Sequence, residues 1–400
     1  MQGPSRTSSP SSIQGGTALP LILSTLLAML FLVRGSLHPE LNYDVIPYVA
    51  LAKHLRGTGG KAEAFREVAA KVGTERFQLY VAEPYRQRMY RDDEYFYRNE
   101  SLYTIRPFYI LTCAAVGAVI RDDVVATYLI SAVSSAVAVL VSLLLAREVG
   151  LKGTWQLAAP FTWVVAGGLS MAGLSTPDGL ETLLTLLFVL LLWHNAGSIV
   201  SYMCLLMLAI LMVATRTDAV VLVTFILLVK WLYDSRARNL VLLLCAGSWL
   251  TYLFIQHSSG NFGYIAVVNF ALIENGQHDV FPNLVPHPAR FALAFIHQVL
   301  QVLGENPEFS RFFLVMGLLA FAWTRERQRA AAVGDTFDTR GQELALALFT
   351  GLFARFLLFP LPWSRYIMGA YVLAGLLFAR AIQPVPSRSA SATGAASNVN

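Results

Sequence analysis

Long apolar runs separated by short polar turns dominate this 400-residue chain. A membrane-spanning helix needs about 20 predominantly apolar residues. The strong runs are residues 18–33, 124–146, 156–173, 179–194, 199–214, 219–233, 240–256, 311–323, 342–359 and 366–382. The pattern therefore predicts an all-α polytopic membrane protein with about 10 transmembrane helices, within a range of about 10–12.

Two weaker apolar runs, 104–120 and 289–303, decide the topology. Short loops on the cytoplasmic side of a membrane protein carry an excess of Lys and Arg. The basic loops 147–153, 230–239 and 324–329 share one side only if neither weak run crosses the membrane. We therefore predict that both runs lie along the outer face as interfacial helices.

This topology predicts one membrane domain over residues 1–382 and a disordered tail at 383–400, which is rich in Pro, Ser and Ala. Two large outer loops, 34–123 and 257–310, would stand above the helix bundle. The first apolar run is expected to be a retained span rather than a cleaved signal peptide, because only Arg6 is basic ahead of it.

Composition supports the membrane interpretation and argues against a soluble domain, a nucleic-acid-binding protein and a nucleotide-binding protein. Hydrophobic residues make up 56% of the chain and charged residues only 14%, whereas soluble domains have about 45–50% and about 25%. The net charge of +5 is explained by the basic loops and needs no nucleic-acid partner. No phosphate-binding glycine fingerprint of a nucleotide site is present.

The segment "YDVIPYVALAKHL" begins the first outer loop and carries an acid close to the membrane. Its spacing places Asp44, Tyr48 and Leu51 on one stripe of a helix, which predicts an interfacial helix with its apolar side toward the membrane. Asp44 can then be an N-terminal capping acid, favoured by the helix dipole, or a functional carboxylate. The spacing alone leaves both interpretations open.

A second polar cluster, residues 83–109, combines acids, arginines and many tyrosines. Its acids include Asp92, Asp93 and Glu94. Tyrosine and arginine together suit a polar ligand at a headgroup surface, through stacking and charge-assisted hydrogen bonds. They suit ordinary anchoring at the interface equally well.

The short outer turns place further charges at the membrane face: Asp178, Arg216, Asp218 and Arg365. Each acid can cap a helix. An arginine level with hydrocarbon is costly without a partner, so Arg216 and Arg365 are expected to face one anionic ligand or to pair with acids. The histidine spacing predicts no metal site, although a divalent metal as cofactor is left open.

Four stretches, in order, resemble the GT-C class of polytopic glycosyltransferases, which use polyprenyl-phosphate-linked sugars. They are "YDVIPYVALAKHL", "RPFYILTCAAVGAVI", "AREVGLKG" followed by "STPDGLETLLTLLFVLLLW", and "WSRYIMGAYVLAGLL". They are similar to the acidic start of the first outer loop, the juxtamembrane helix, a basic loop with the following acidic span, and a late Arg-Tyr element. Two positions depart from the class pattern, because Val45 replaces a second acid and Arg106-Pro107 stands for a His-Pro-Pro motif.

The resemblance implies an inverting transfer of a sugar from a polyprenyl phosphate to a hydroxyl acceptor, which could be a glycan, a lipid or a protein. Asp44 would be the catalytic base. Arg216 and Arg365, with Arg106 as a weaker third candidate, would bind the donor phosphate. The expected supporting residues are Tyr48, Asp178, Asp218, Asp92 and Asp93.

The implied location is a bacterial inner membrane or an equivalent membrane, with the active site on the outer face. Two other functions stay open at this point. A transporter or flippase for a lipid-linked glycan would explain arginines at the membrane edge, but it predicts inverted repeats and broken helices at the midplane. A non-catalytic membrane scaffold would make the ordered acid and arginine positions a coincidence.

Overall fold

The computed structural model describes residues 18–194, 198–234, 238–260, 307–333, 339–358 and 364–384, with isolated helical positions between 289 and 300. Within these residues the chain forms helices and no strand, apart from one isolated parallel bridge between Glu40 and Leu174. The all-α prediction is therefore confirmed for the described chain. The predicted disordered tail and nearly all of the run 289–303 lie outside the described residues.

Six short helices follow the first apolar helix and build the first outer loop. Helix α1 spans Ala18–Leu37, and the loop helices are α2 (Val45–Arg56), α3 (Lys61–Val72), α4 (Thr74–Tyr80), α5 (Pro84–Arg91), α6 (Asp93–Thr104) and α7 (Pro107–Ile120). Helix α2 packs against α3, α7 and α8 (Asp123–Glu148), and every residue from Val45 to Lys53 is buried. The prediction that α2 turns its apolar side to the membrane is therefore wrong, because that side packs against neighbouring helices. Its interfacial position stays a prediction.

The remaining helices form the bundle below this loop. They are α8, α9 (Ala158–Val165), α10 (Gly168–Ala172), α11 (Asp178–His194), α12 (Ile199–Thr215), α13 (Ala219–Tyr233), α14 (Arg238–Ser258), α15 (Pro307–Val333), α16 (Arg340–Leu358) and α17 (Met368–Ile382). Helix α8 is central, since it packs against α1, α7 and α11. Helix α16 packs between α13 and α15, and α17 packs against α9, α11 and α15.

Four of the described helices are long and apolar enough to cross a membrane: α1, α8, α14 and α16. Helices α12, α13 and α17 are apolar but shorter, with 17, 15 and 15 residues. The exposed faces of α1 and α14 carry many large apolar side chains, among them Leu26, Met29, Leu250 and Phe254. Such apolar exposure on long helices is expected of a membrane protein.

The predicted span 156–173 is not one continuous helix. A 3-10 turn at Gly153–Leu157 leads into α9, which ends before Gly167, and α10 follows. Gly167 has a φ of +78°, in the left-handed region that terminates helices. The eight residues of α9 span about 12 Å at 1.5 Å per residue, against about 30 Å of hydrocarbon. The apolar run 156–173 therefore forms two short helices rather than one regular span.

The run 104–120 forms helix α7, which is bent by 105° relative to α6. Its 14 residues extend about 21 Å, less than the roughly 30 Å of a hydrocarbon core. It lies against α2 and α8 with Tyr109, Cys113 and Gly117 buried. Its predicted position along the outer face stays a prediction, and its shortness agrees with it.

Two of the three basic segments predicted to share a side meet at one end of the bundle. The Arg380 guanidinium donates to the Val149 carbonyl at 3.0 Å and to Glu326 at 3.1 Å, which joins the 147–153 loop to segment 324–329. The prediction of a loop at 324–329 is wrong, because this segment lies within helix α15. At the opposite end, Arg216 pairs with Asp178, which joins the outer turns 174–178 and 215–218. We call these the inner end and the outer end. Which of them faces out of the cell stays a prediction.

Candidate functional site

Asp44 lies at the outer end, directly before helix α2, and its side chain does not cap that helix. Its backbone is already helical, with φ of −61° and ψ of −18°, and no capping hydrogen bond forms. The carboxylate instead accepts a hydrogen bond from the Tyr103 hydroxyl at 3.2 Å. The capping interpretation of Asp44 is therefore wrong, and the half-buried carboxylate faces the α6–α7 corner.

Arg106 stands at this corner, immediately before Pro107 begins helix α7. Its guanidinium donates a hydrogen bond to the Tyr48 hydroxyl. The guanidinium carbon lies 5.6 Å from the Tyr48 ring centre and 5.9 Å from the Tyr103 ring centre, within the range of cation–π attraction. Arg106 and Asp44 thus share Tyr48 and Tyr103 as neighbours, which brings positive and negative groups to the two sides of one aromatic pair.

Arg216 is buried in the turn between α12 and α13 and is held by two carboxylates. It donates to Asp178, and it reaches Asp218 with Nε at 3.1 Å and Nη2 at 3.2 Å. Asp178 also accepts from the Thr176 hydroxyl at 2.6 Å. Asp218 makes no capping hydrogen bond to α13. Both acids therefore orient Arg216, which is one of the two roles the sequence left open for them.

Arg365 and Tyr366 complete the site from the 3-10 turn Ser364–Tyr366. The guanidinium carbons of Arg216 and Arg365 lie 4.0 Å and 4.9 Å from the Tyr366 ring centre. Arg365 Nη2 donates to the Tyr366 hydroxyl at 3.1 Å, and its Nε lies 4.0 Å from Asp178 Oδ2. The Tyr366 ring therefore contacts the guanidinium groups of both Arg216 and Arg365.

Two residues of this network were missed by sequence reasoning, Arg355 and Glu181. Arg355 Nη2 donates to Asp218 at 2.5 Å, and its Nη1 donates to the Tyr366 carbonyl at 2.6 Å. Glu181 is 2% exposed, and the charges of Arg355 and Arg216 act on it. Both lie inside apolar runs, where an ionisable residue is expensive and marks a functional or paired position. An ionisable residue inside an apolar run was therefore the feature of the sequence that could have identified Arg355 and Glu181.

The two halves of the outer end form one electrostatic unit. The charges of Arg216 and Asp44 both act on Arg106, and the charge of Asp44 also acts on Arg365. We define the outer cluster as Asp44, Tyr48, Arg106, Asp178, Glu181, Arg216, Asp218, Arg355, Arg365 and Tyr366. It collects seven of the nine residues singled out in the sequence, from five separate stretches of the chain: 44–48, 106, 178, 216–218 and 365.

Asp92 and Asp93 do not belong to this cluster. Asp92 caps helix α6 by accepting from the Tyr95 amide at 3.0 Å. Asp93 pairs with Lys61 at 2.6 Å, with 81% of its own side chain exposed. The expectation that these acids support the site is therefore wrong, since each has a local structural partner.

The electrostatics of the outer turns favour the charged forms of Asp218 and Arg216. Burial by itself would raise the pKa of Asp218, but Arg216 and Arg355 outweigh it and hold that pKa below its ordinary value. Burial likewise opposes the charged form of Arg216, and Asp218 and Asp178 raise its pKa well above the usual range. Four guanidinium groups and four carboxyl groups therefore stand together. The acids Asp178, Glu181 and Asp218 surround Arg216 and Arg355, whereas Arg106 and Arg365 are less buried.

This distribution makes the surface near Arg106 and Arg365 suited to an anion, because guanidinium groups present several donors in a fixed fork. The adjacent Asp44 can accept a proton from a hydroxyl group within hydrogen-bond reach. Within the described residues, no group of three or more His, Cys, Asp or Glu side chains is placed to hold a metal ion.

The fold and site define an all-α protein with membrane-length apolar helices and a buried arginine–carboxylate cluster at one end of its bundle. No protein-family model, no curated protein and no solved structure matches the chain. The chemistry of the outer cluster is therefore the basis for assigning a more specific function.

Proposed function

We propose that this chain is an integral-membrane glycosyltransferase that moves a sugar from a polyprenyl phosphate to a hydroxyl acceptor, with inversion at the sugar carbon. The observation that carries the proposal is the meeting of Asp44 with Arg106, Arg216 and Arg365 at one end of the bundle. A carboxylate beside converging guanidinium groups is the combination that such a transfer needs: a base for the acceptor and cations for the leaving phosphate.

In the proposed reaction, the acceptor oxygen forms a bond to the anomeric carbon of the donor sugar. The bond from that carbon to the phosphate oxygen breaks, and the electron pair leaves with the polyprenyl phosphate. Asp44 takes the acceptor proton as the new bond forms. The reaction is therefore balanced with donor and acceptor alone and needs no oxidant or third substrate.

The arginines would share the phosphate unequally. Arg216 already donates three hydrogen bonds to carboxylates, and only 8% of its side chain is exposed. Arg365 has 26% of its side chain exposed, and Arg106 is also partly exposed. We therefore propose that Arg365 and Arg106 make the outer contacts to the phosphate, while Arg216 adds charge from beneath them.

The proposal includes the sidedness of the protein. About ten spans would place the outer cluster at the periplasmic face of a bacterial inner membrane or its equivalent, where hydroxyl groups of a glycan, a lipid or a protein are available. The resemblance of four ordered stretches to the GT-C class supports this assignment. The sugar and the acceptor are not specified by the residues of the cluster.

The first test is Asp44→Asn in the purified full chain, assayed with a panel of polyprenyl-phosphate sugars. Asn is nearly isosteric but cannot act as the base, so transfer should fall by at least about a hundredfold, the usual scale of general-base catalysis. Donor binding, measured in the same preparation, should be retained. The matched control is Asp93→Asn, which alters an exposed acid outside the cluster and should leave transfer unchanged.

Near-wild-type transfer by Asp44→Asn would remove Asp44 as the base. Movement of the lipid donor between the two leaflets of a vesicle, without formation of a sugar–acceptor bond, would instead favour the flippase alternative. The two functions are separated because only the transferase yields a free polyprenyl phosphate.

A further inference from the structure

A second site lies apart from the outer cluster, in an apolar groove on the side of the bundle. The groove has a volume of about 680 Å³ and runs between α9, α15 and α17. Trp155, Phe161, Leu318 and Phe378 are among the side chains that line it. It shares no residue with the outer cluster, and apolar side chains beside it such as Phe161 and Leu314 are 68% and 60% exposed.

One polar group is buried in this apolar wall. Tyr371 lines the groove and is 4% exposed, and its hydroxyl has no hydrogen-bond partner among the described residues. A buried hydroxyl without a partner costs about 1–3 kcal/mol. A hydrocarbon chain alone would fill the groove but leave this hydroxyl unsatisfied. The occupant should therefore carry a hydrogen-bond acceptor at the level of Tyr371.

The charged residues beside Tyr371 indicate the headgroup. Arg311 lines the groove, and it pairs with Glu308 one turn earlier on α15 at 2.9 Å. Half of the Arg311 side chain is exposed, and the charges of both residues act on Tyr371. A guanidinium group has five N–H donors and a carboxylate has several acceptor sites, so each can bind more than one partner at a time.

We propose that this groove binds one chain of a phosphatidylethanolamine molecule. Its phosphate would contact Arg311, its ammonium group would contact Glu308, and an ester oxygen would accept from Tyr371. The paired cation and anion match a zwitterionic headgroup with N–H donors. A polyprenyl phosphate or an anionic phospholipid would bring negative charge to Glu308 without an ammonium group, and a choline headgroup has no N–H to donate.

The test is native mass spectrometry of the full detergent-solubilised chain titrated with dioleoyl phosphatidylethanolamine. One saturable adduct is expected, with an affinity at least about tenfold above that for dioleoyl phosphatidylglycerol, dioleoyl phosphatidylcholine or a polyprenyl phosphate. Equal affinity for any of these lipids, or adducts that never saturate, would overturn the proposal. The measurement does not use transfer activity, so its outcome is independent of the proposed glycosyltransferase function.

Three variants locate the adduct. Tyr371→Phe and Arg311→Gln should each weaken binding about tenfold, since each removes one hydrogen bond to the headgroup region. Leu318→Trp should abolish the adduct by obstructing the groove, whereas Leu253→Trp, at a 57% exposed position on α14, is the control for a lipid-facing tryptophan. If Leu318→Trp does not fold, the nearly isosteric Tyr371→Phe still decides the question. Unchanged binding in Tyr371→Phe would show that the lipid lies elsewhere.

Discussion

The outer cluster and the inner end each bury an acid among arginines, but they use the arginines differently. At the inner end, Glu326 is fully buried and pairs with Arg329 and Arg380 at 3.1 Å each. Both arginines also donate to backbone carbonyls, including those of Val149 at 3.0 Å and Arg380 at 2.6 Å. These bonds hold α15, α17 and the 147–153 loop together. The group serves as a closed structural clamp.

The outer cluster is left open by comparison. Its arginines pack against the rings of Tyr48 and Tyr366, and Arg365 and Asp44 keep part of their surface exposed. Arg106 and Arg365 also donate hydrogen bonds to the hydroxyl groups of these two tyrosines. The comparison shows that burial of charge alone does not distinguish a site from a clamp. The useful distinction is the exposure of the arginine side chains, which is 26% for Arg365 but 15% for Arg329 and 11% for Arg380.

The largest effect expected is in cysteine labelling, which reports the side of the membrane on which each end of the bundle lies. Labelling from outside the cell should be complete at one end and absent at the other. Arg121 is exposed at the end of α7, and Arg325 is exposed near the inner clamp. In otherwise cysteine-free protein, Arg121→Cys should react with a membrane-impermeant thiol reagent added to intact cells, and Arg325→Cys should react only after lysis. The reverse result would mean that our assignment of the outer face is inverted.

The next effect is on stability at the inner end. Glu326→Gln should lower the free energy of unfolding by about 3–5 kcal/mol, because it removes a fully buried carboxylate from two partly buried arginines. The shift is measured by thermal unfolding of the purified protein. Glu343→Gln is the control, since Glu343 is half-buried near the same end and accepts from Thr339. If Glu326→Gln is as stable as the wild type, the inner group is not a clamp.

A smaller effect, on activity rather than stability, is expected at the outer end. Arg365→Ala should reduce transfer by about ten- to hundredfold, which corresponds to the loss of a charged hydrogen bond of about 1.5–3 kcal/mol. Arg365→Lys should recover only part of the rate, because a point charge lacks the fork of donors. Thermal unfolding should change little in both variants. Full activity of Arg365→Ala would exclude Arg365 from the donor site.

The smallest effect is a pH dependence in the first outer loop. Burial raises the pKa of Glu100 on α6 from an ordinary 4.5 to about 7. The unfolded chain loses this proton near its ordinary pKa while the folded chain retains it, so stability should fall as pH rises from 4.5 to about 7 and then level off. Glu100→Gln should remove this part of the pH dependence in thermal unfolding. An unchanged profile would mean that Glu100 is hydrated in the protein.

Much of the helical framework follows from the sequence itself. Apolar runs such as 124–146 and 219–233 coincide with helices α8 and α13, because a run of this length cannot satisfy its backbone in an apolar environment except as a helix. Charge patterning grouped three basic segments, and two of them, 147–153 and 324–329, do meet at the inner end. The sequence also located the charged outer turns, because they carry charged residues at the ends of apolar runs.

Tertiary structure decided how those charges are used. Asp44 stands where a helix cap is expected, but its carboxylate accepts a hydrogen bond from Tyr103, which is distant in sequence. Arg355 lies in an apolar run, and only the approach of α13 to α16 provides Asp218 as its partner. The run 156–173 has the composition of a span, yet the left-handed turn at Gly167 divides it. Periodicity and composition are local properties that specify a helix. The pairing of charges depends on which segments the packed bundle brings within a few ångströms, and no local pattern contains that information.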